Sequence, residues 1–353
     1  MSSSGTMKAV VVKEPYKVVV EQRPIPKPQD AHDVVVKVEL AALCGSDLHV
    51  YRGHQPTSYD FIMGHELVGH VHEVGEGVKT FKKGDYVVCP FTVSCGNCFY
   101  CTRSRTSRCE SSKLLGCAVL DGAQAEYIRI PMGETSLFHA PTTVPKESLI
   151  LMADIFPTGY FVSRNAYEMM NEAERQDTTA IVIGCGPVGL CAVTAATHFF
   201  KNVYAVDSVP ERLAAARKHG AKDAWNFKEV DVPAKVKELT KGRGADAVLE
   251  VVGHLSALEM GVQIVRPWGI ISSCGIHTHE VKLKGLDLYN KNIRFQFGRC
   301  PVRALFGDAL EMLAQHGEMF KGFVENTVSI DEAEKWYELF EQNKCLKTAF
   351  KMS

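Results

Sequence analysis

Between residues 178 and 207 the chain reads TTAIVIGCGPVGLCAVTAATHFFKNVYAVD, and no other stretch restricts the fold as tightly. TAIVIG is a buried-type strand, PVGLCAVTAATHFF an apolar helical run, and VYAVD a second strand. Gly184, Gly186 and Gly189 stand between the first strand and the helix. Glycines there permit a tight turn, close approach of a pyrophosphate to the backbone, and close helix–strand packing. The helix N-terminus then offers free N–H groups to the phosphates. Asp207 ends the next strand, placed to accept hydrogen bonds from the adenosine ribose and to repel a 2′-phosphate, which favours NAD over NADP. The same letters describe a structural glycine turn with Asp207 as a helix cap, but strand, glycines, helix and acid all stand in the register of a dinucleotide site.

Alternation continues through PERLAAARKHG, DAVLEVVG and GIISSCG, which predicts an α/β fold with a parallel sheet. Residues 1 to about 150 instead hold short Val-rich runs such as VVVKVEL and DYVVCPF, the pattern of a β-rich domain. The expected division is 1–156, 157–297, and a tail of helices and a closing strand over 298–353. Two domains suit a chain of 353 residues. A net charge of -1 leaves no basic excess to suggest a nucleic-acid binder. No apolar run is long enough to span a bilayer, and the N-terminal residues carry no signal-like core, so the expected compartment is the cytosol.

GHELVGHVH, residues 64–72, imitates the zinc-protease signature. That motif needs histidines four residues apart on a helix. Here Gly69 holds the fourth place and His70 the fifth, about 140° away around a helix. Glycines and valines through the stretch suit strand and turn, so the partners of His65 must come from elsewhere.

Of twelve cysteines, Cys95, Cys98, Cys101 and Cys109 are clustered with spacings that let four thiolates surround one tetrahedral Zn²⁺. Such a closed site is structural. The loop of residues 95–109 holds Arg103, Arg105 and Arg108 and few apolar residues, so metal stands in for a core. Cys44 and His65 are two further zinc donors, and Asp154 is a carboxylate in an apolar stretch that burial would penalise without a partner. By spacing alone each of these three is equally a core thiol, a bonded core histidine or a helix cap.

Taken in order, Cys44-x-Ser46-Asp47-x-His49, Gly64-His65-Glu66, the four-cysteine loop, Gly122-Ala123-Gln124-Ala125-Glu126-Tyr127 and the Gly184–Gly189 turn give a chain that resembles the zinc-dependent medium-chain alcohol dehydrogenases from about residue 8 to the end. The resemblance implies a GroES-like catalytic domain and an inserted Rossmann domain, with the active site in the cleft between them. It implies that Cys44, His65 and Asp154 ligate a catalytic zinc, with Glu66 an outer or exchanging ligand and Asp47 orienting His65. Together with the four-cysteine site this makes two zincs per chain. Thr158 and Val188 match positions that pack on the nicotinamide, Arg212 matches a cation near the adenosine ribose, and Phe91 matches a pocket wall. Two positions depart from the pattern. Many members have Cys where Asp154 stands, and the DIFPTGY segment is similar to the formaldehyde-dehydrogenase-like branch. Some members carry a pyrophosphate-binding Arg where this chain has Gly45, leaving Lys347 as a candidate for that contact.

The expected chemistry is reversible hydride transfer between NAD(H) and an alcohol/carbonyl pair, with zinc on the substrate oxygen. Ser46 takes the proton and, by resemblance, passes it through the cofactor ribose to His49. Cys274 and Trp268 are read as packing residues. The alternative is an NAD(P)H-dependent enone or imine reductase with a spectator zinc. The partner is a small molecule, and a homodimer or homotetramer is expected.

Overall fold

The computed structural model describes residues 5–55 and 57–352. They divide into two compact units, Met1–Asp154 with Pro301–Ser353, and Ile155–Cys300. The boundaries fall two and three residues from the expected 156/157 and 297/298. The physical reason at the first is helix Ile155–Glu168, which packs along helix Pro187–Phe199 and so carries Ile155 and Phe156 into the second unit.

The second unit is a six-stranded parallel sheet in the order Asp223–Asn226, Asn202–Asp207, Thr179–Ile183, Ala245–Glu250, Val265–Ser273, Arg294–Phe297. Numbered within the unit this is 3-2-1-4-5-6, the doubly wound order, with the direction of winding reversing at Thr179–Ile183. Thr179–Ile183 and Ala245–Glu250 are buried at every residue, as strands covered on both faces must be. That burial explains their largely apolar character, and Asp246 and Glu250, the buried charged exceptions, are held by hydrogen bonds. Gly186 caps the helix Pro187–Phe199, and Pro187 starts it where a missing N–H costs nothing. Gly159 lets helix Ile155–Glu168 sit against that helix, since a Cβ there would come within 2.5 Å of the Ala192 amide nitrogen.

The first unit contains a seven-stranded sheet and a three-stranded one. The long strand Val34–Leu43 lies at its centre, paired antiparallel with Glu66–Val74, Tyr127–Ile130 and Thr348–Lys351. The GHELVGHVH segment is therefore strand, not helix. Gly69 is required by the pairing, because a Cβ there would meet the Lys37 carbonyl oxygen at 2.3 Å. Thr348 opposite Leu43 and Glu66 opposite Ala42 bring the two ends of the chain's first unit together around one point. The core beneath it is apolar, built on Val36, Val38, Leu43, Leu67, Val87 and Phe350.

Candidate active site

Three elements of the first unit deliver one donor each. Cys44 follows the end of strand Val34–Leu43, His65 precedes strand Glu66–Val74, and Asp154 ends the 3-10 turn Ile150–Ala153. All three are buried, and their ligand atoms lie within 4.8 Å of one another. Asp154 Oδ2 is 3.7 Å from Cys44 Sγ and 3.3 Å from His65 Nε2. Spacing alone left these residues, up to 110 positions apart, unconnected, and only the family resemblance grouped them.

Asp47 fixes the imidazole. Its Oδ1 accepts from His65 Nδ1 at 3.0 Å, while Oδ2 accepts from the Cys44 amide at 3.0 Å. The proton on Nδ1 leaves Nε2 as a lone-pair donor, and that nitrogen is buried with no hydrogen-bond partner among the described residues. Burial disfavours a charged imidazole, yet Asp47 and the contacts to Asp154 and Cys44 hold its pKa well above the usual value. The centre is short of positive charge. A thiolate, an imidazole nitrogen and a carboxylate around such a point are a donor set that fits Zn²⁺ with a position left over. Phe91 closes one side, its ring 6.3 Å from that of His65.

Glu66 and Lys347 form a buried ion pair beside this set. Lys347 Nζ donates to Glu66 Oε2 and to the Leu43 carbonyl at 3.2 Å. Burial opposes the ammonium, but the negative charges of Glu66, Cys44 and Asp154 prevail and hold its pKa above the usual value. Lys347 is 1% exposed, so the reading of this residue as a pyrophosphate contact is corrected here: its charge is committed inward. Glu66 Oε1 is buried and unpartnered among the described residues. Glu66 in a strand was visible in the sequence, whereas its partner lay 281 residues away.

Residues 45–51 form a helix. It places Ser46 and His49 three residues apart, on one face. Ser46 Oγ lies 3.5 Å from Cys44 Sγ. His49 Nδ1 is buried without a partner among the described residues. Burial first, and then the charges of Arg52 and His54, push its pKa below the usual value.

The glycine turn fits a dinucleotide phosphate. Gly184 has φ +99°, Gly189 could carry no Cβ because the Gly184 carbonyl oxygen lies 2.0 Å from where one would be, and Gly186 faces open space. Val188 is half-buried in the first turn of the helix and Thr158 half-buried in the first turn of its neighbour. Asp207 is buried, with Oδ2 accepting from the Cys185 amide at 2.7 Å and Oδ1 from Ser208 and Val209 amides at 2.7 and 3.0 Å. It therefore locks the glycine turn as well as standing at the strand end, and the two readings of this residue are compatible. Arg212 is half-buried on helix Pro210–Lys218.

Elsewhere in the first unit the sulfurs of Cys95, Cys98, Cys101 and Cys109 lie within 4.8 Å of one another, all as free thiols. Cys109 and Cys95 Sγ are 3.5 Å apart. Backbone amides of Glu110 and Cys101 hold the Cys98 thiol down to about 6, while burial pushes Cys101 up to about 12. Four sulfurs crowded without bridging, on a loop of 3-10 turns, fit a closed tetrahedral metal site.

Residues 30–142 match the alcohol dehydrogenase GroES-like domain, and residues 187–315 the zinc-binding dehydrogenase domain. The chain is 51% identical over 354 residues to zinc-type alcohol dehydrogenase B of Aspergillus flavus, covering 99% of this chain and 82% of that protein. The chain belongs to the zinc-dependent medium-chain dehydrogenase/reductase family. A second relative, the medium chain reductase/dehydrogenase ucsI of Acremonium sp, is 49% identical over 81% of this chain and 99% of its own length. The solved alcohol dehydrogenase TADH from Thermus sp. ATN1 superposes with a TM-score of 0.90 at 33% identity, covering 98% of this chain and all of that one. As a medium-chain dehydrogenase/reductase the protein is an oxidoreductase with a GroES-like and a Rossmann-type unit. Sequence reading missed two polar features of this family member that no local motif marks: the Lys347–Glu66 pair, and Tyr337, whose buried hydroxyl donates to Gln124 Oε1 at 2.7 Å. Their only sequence signal is a polar residue inside an apolar run, at Gln124 and Glu66.

Proposed function

We propose that the protein catalyses reversible, NAD(H)-dependent oxidation of an alcohol to an aldehyde or ketone at a zinc centre. The observation that carries this reading is the buried Cys44–His65–Asp154 set, with His65 Nε2 making no hydrogen bond among the described residues and lying 3.3 Å from Asp154 Oδ2, and Asp47 on Nδ1. These three residues would hold the catalytic zinc, and Cys95, Cys98, Cys101 and Cys109 a structural one. When bound, zinc supplies a Lewis acid for the substrate oxygen and the nicotinamide a two-electron hydride acceptor or donor.

The chain's own residues do the rest. Asp47 keeps Nδ1 protonated so that Nε2 faces the centre. Phe91 and the surrounding apolar residues exclude water. Ser46 Oγ, beside Cys44, takes the hydroxyl proton in the oxidative direction, and His49, on the same helix face and held deprotonated near neutrality, passes it to solvent. Gly184, Gly186 and Gly189 cradle the pyrophosphate, Thr158 and Val188 lie against the nicotinamide half, and Asp207 with Arg212 faces the adenosine ribose, which supports NAD over NADP. Glu66 stays outside the ligand set, held by Lys347. A homo-oligomer fits the sheet edge at Arg294–Phe297, flanked by Trp268, Leu286 and Tyr289 at 59%, 68% and 79% exposure.

The test is a cofactor-coupled absorbance screen with NADH and NADPH against alcohols, aldehydes, polyols, enones and imines, alongside metal analysis. Two zincs per chain and turnover of an alcohol/carbonyl pair with NAD are expected. Turnover of enones or imines alone would overturn the reading.

A further inference from the structure

The sheet order of the second unit divides a bound dinucleotide. Asp207 ends the strand on one side of the glycine turn, and Glu250 and Ser273 end the two strands on the other. With pyrophosphate at the turn and adenosine ribose at Asp207, the nicotinamide half extends over the ends of Ala245–Glu250 and Val265–Ser273. The dinucleotide reading of the proposed function is assumed here.

A carboxylate sits at the root of that surface. Glu250 is 0% exposed, and both oxygens are filled. Oε1 accepts from the amides of Val252 and Gly253 at 2.8 and 2.7 Å. Oε2 accepts from Ser273 Oγ at 2.6 Å and from His277 Nε2 at 3.2 Å. Two loops that follow neighbouring strands are thus tied to one side chain. Their backbones touch: a Cβ on Gly275 would lie 2.1 Å from the Gly253 amide nitrogen, and one on Gly253 2.5 Å from that of Ile276. Val251 and Val252 in turn line Gly184, whose Cβ would meet their methyls at 3.2 and 2.7 Å. Closeness of this kind tolerates little play, yet glycine backbone has the most freedom to lose, so a buried charge-assisted clasp is what holds it.

We propose that Glu250, Ser273 and His277 form a clasp that fixes the two strand-end loops beneath the nicotinamide half of the cofactor, with His277 a positioning residue for that half alone. The His277 side chain is 9% exposed and closes the clasp from the outer loop, against the Phe297 ring at 5.7 Å. Loss of its N–H leaves Glu250 Oε2 bonded by Ser273 Oγ, and the start of loop 274–277 bonded to the Glu250 carbonyl through the Cys274 amide at 3.1 Å, but residue 277 no longer tied to the Glu250 side chain. The adenosine half, anchored through Asp207 on the opposite side of the turn, does not depend on it.

The experiment is calorimetric titration of the zinc-loaded protein with NADH and, separately, with ADP-ribose, which lacks the nicotinamide. For H277A, NADH affinity is expected to fall about tenfold while ADP-ribose affinity stays within about twofold of wild type. H277Q, which can return an N–H donor to the Nε2 position, should recover NADH binding, and S273A should reproduce the selective loss with the imidazole intact. An equal loss for both ligands, no loss for either, or failure of the Gln variant to recover would overturn the clasp, the first and last of these marking it as packing alone. Wild-type protein that binds neither ligand would instead overturn the dinucleotide reading beneath it.

Discussion

Asp47→Asn removes one charge from a carboxylate that serves two buried N–H donors at once, the His65 ring and the Cys44 amide, each at 3.0 Å. An amide has one oxygen to offer. If that oxygen stays on His65, the new NH₂ faces the Cys44 N–H, and a buried backbone donor loses its partner at a cost of about 1–3 kcal/mol, next to a proposed ligand. If the oxygen turns to Cys44, the NH₂ faces His65 Nδ1. The ring must then accept there, its proton moves to Nε2, and an N–H points to where the metal would be held. Either way the centre is disordered at one of its donors. Outer carboxylates on metal-ligating histidines contribute about 10–100-fold in metal affinity, or about 1.4–2.8 kcal/mol. Competition for zinc with a chromophoric chelator should show two release steps in wild type. In D47N the step from the Cys44–His65–Asp154 set should move by this factor, and the step from the four-cysteine loop should not. If both steps coincide with wild type within about twofold, Asp47 does not control the tautomer and the argument from geometry fails.

Lys347→Met leaves the Glu66 carboxylate buried and unpaired, which should destabilise the first unit by about 3–5 kcal/mol in urea unfolding, with most of it recovered in K347M/E66Q; a loss below about 1 kcal/mol would deny the pair. Acid should weaken the fold through His219, whose buried ring, bonded to Thr194 Oγ1 at 3.0 Å, is held down to about 4 by burial. Its folded pKa lies below its unfolded one, so its share of stability is complete above pH about 6.5 and disappears as pH falls to about 4, about 3 kcal/mol in all; H219Q should flatten that limb of the unfolding free energy against pH. Asp207→Ser should shift cofactor preference towards NADPH by about tenfold or more as the repulsion of a 2′-phosphate is relieved, measured as the ratio of the two Kd values, and an unchanged ratio would leave Asp207 only the work of locking the glycine turn.

Much of the second unit was legible. Thr179–Ile183 and Ala245–Glu250 are buried on both faces, so their letters are mostly apolar, with Asp246 and Glu250 as charged exceptions held by hydrogen bonds, and the turn between strand and helix carries Gly189 because no Cβ fits against the Gly184 carbonyl. The helix Gly45–Tyr51 was not legible. It is seven residues long, and GSDLHVY has too few turns for a period to stand out. Lys347 was read as a candidate pyrophosphate contact because nothing in its local sequence marks it as inward, and only its pairing to a carboxylate 281 positions away keeps it inside.

The letters alone determined which donor atoms the chain possesses and the local backbone that glycine, proline and β-branched residues dictate, because those depend on contacts a few residues long. Tertiary structure decided which donors meet. Cys44, His65 and Asp154 converge because antiparallel register sets Ala42 against Glu66 and a 3-10 turn brings Asp154 in behind them. Glu250 gathers two loops because parallel pairing sets it against Ser273. Register is a property of the assembled sheet, and no single strand contains it.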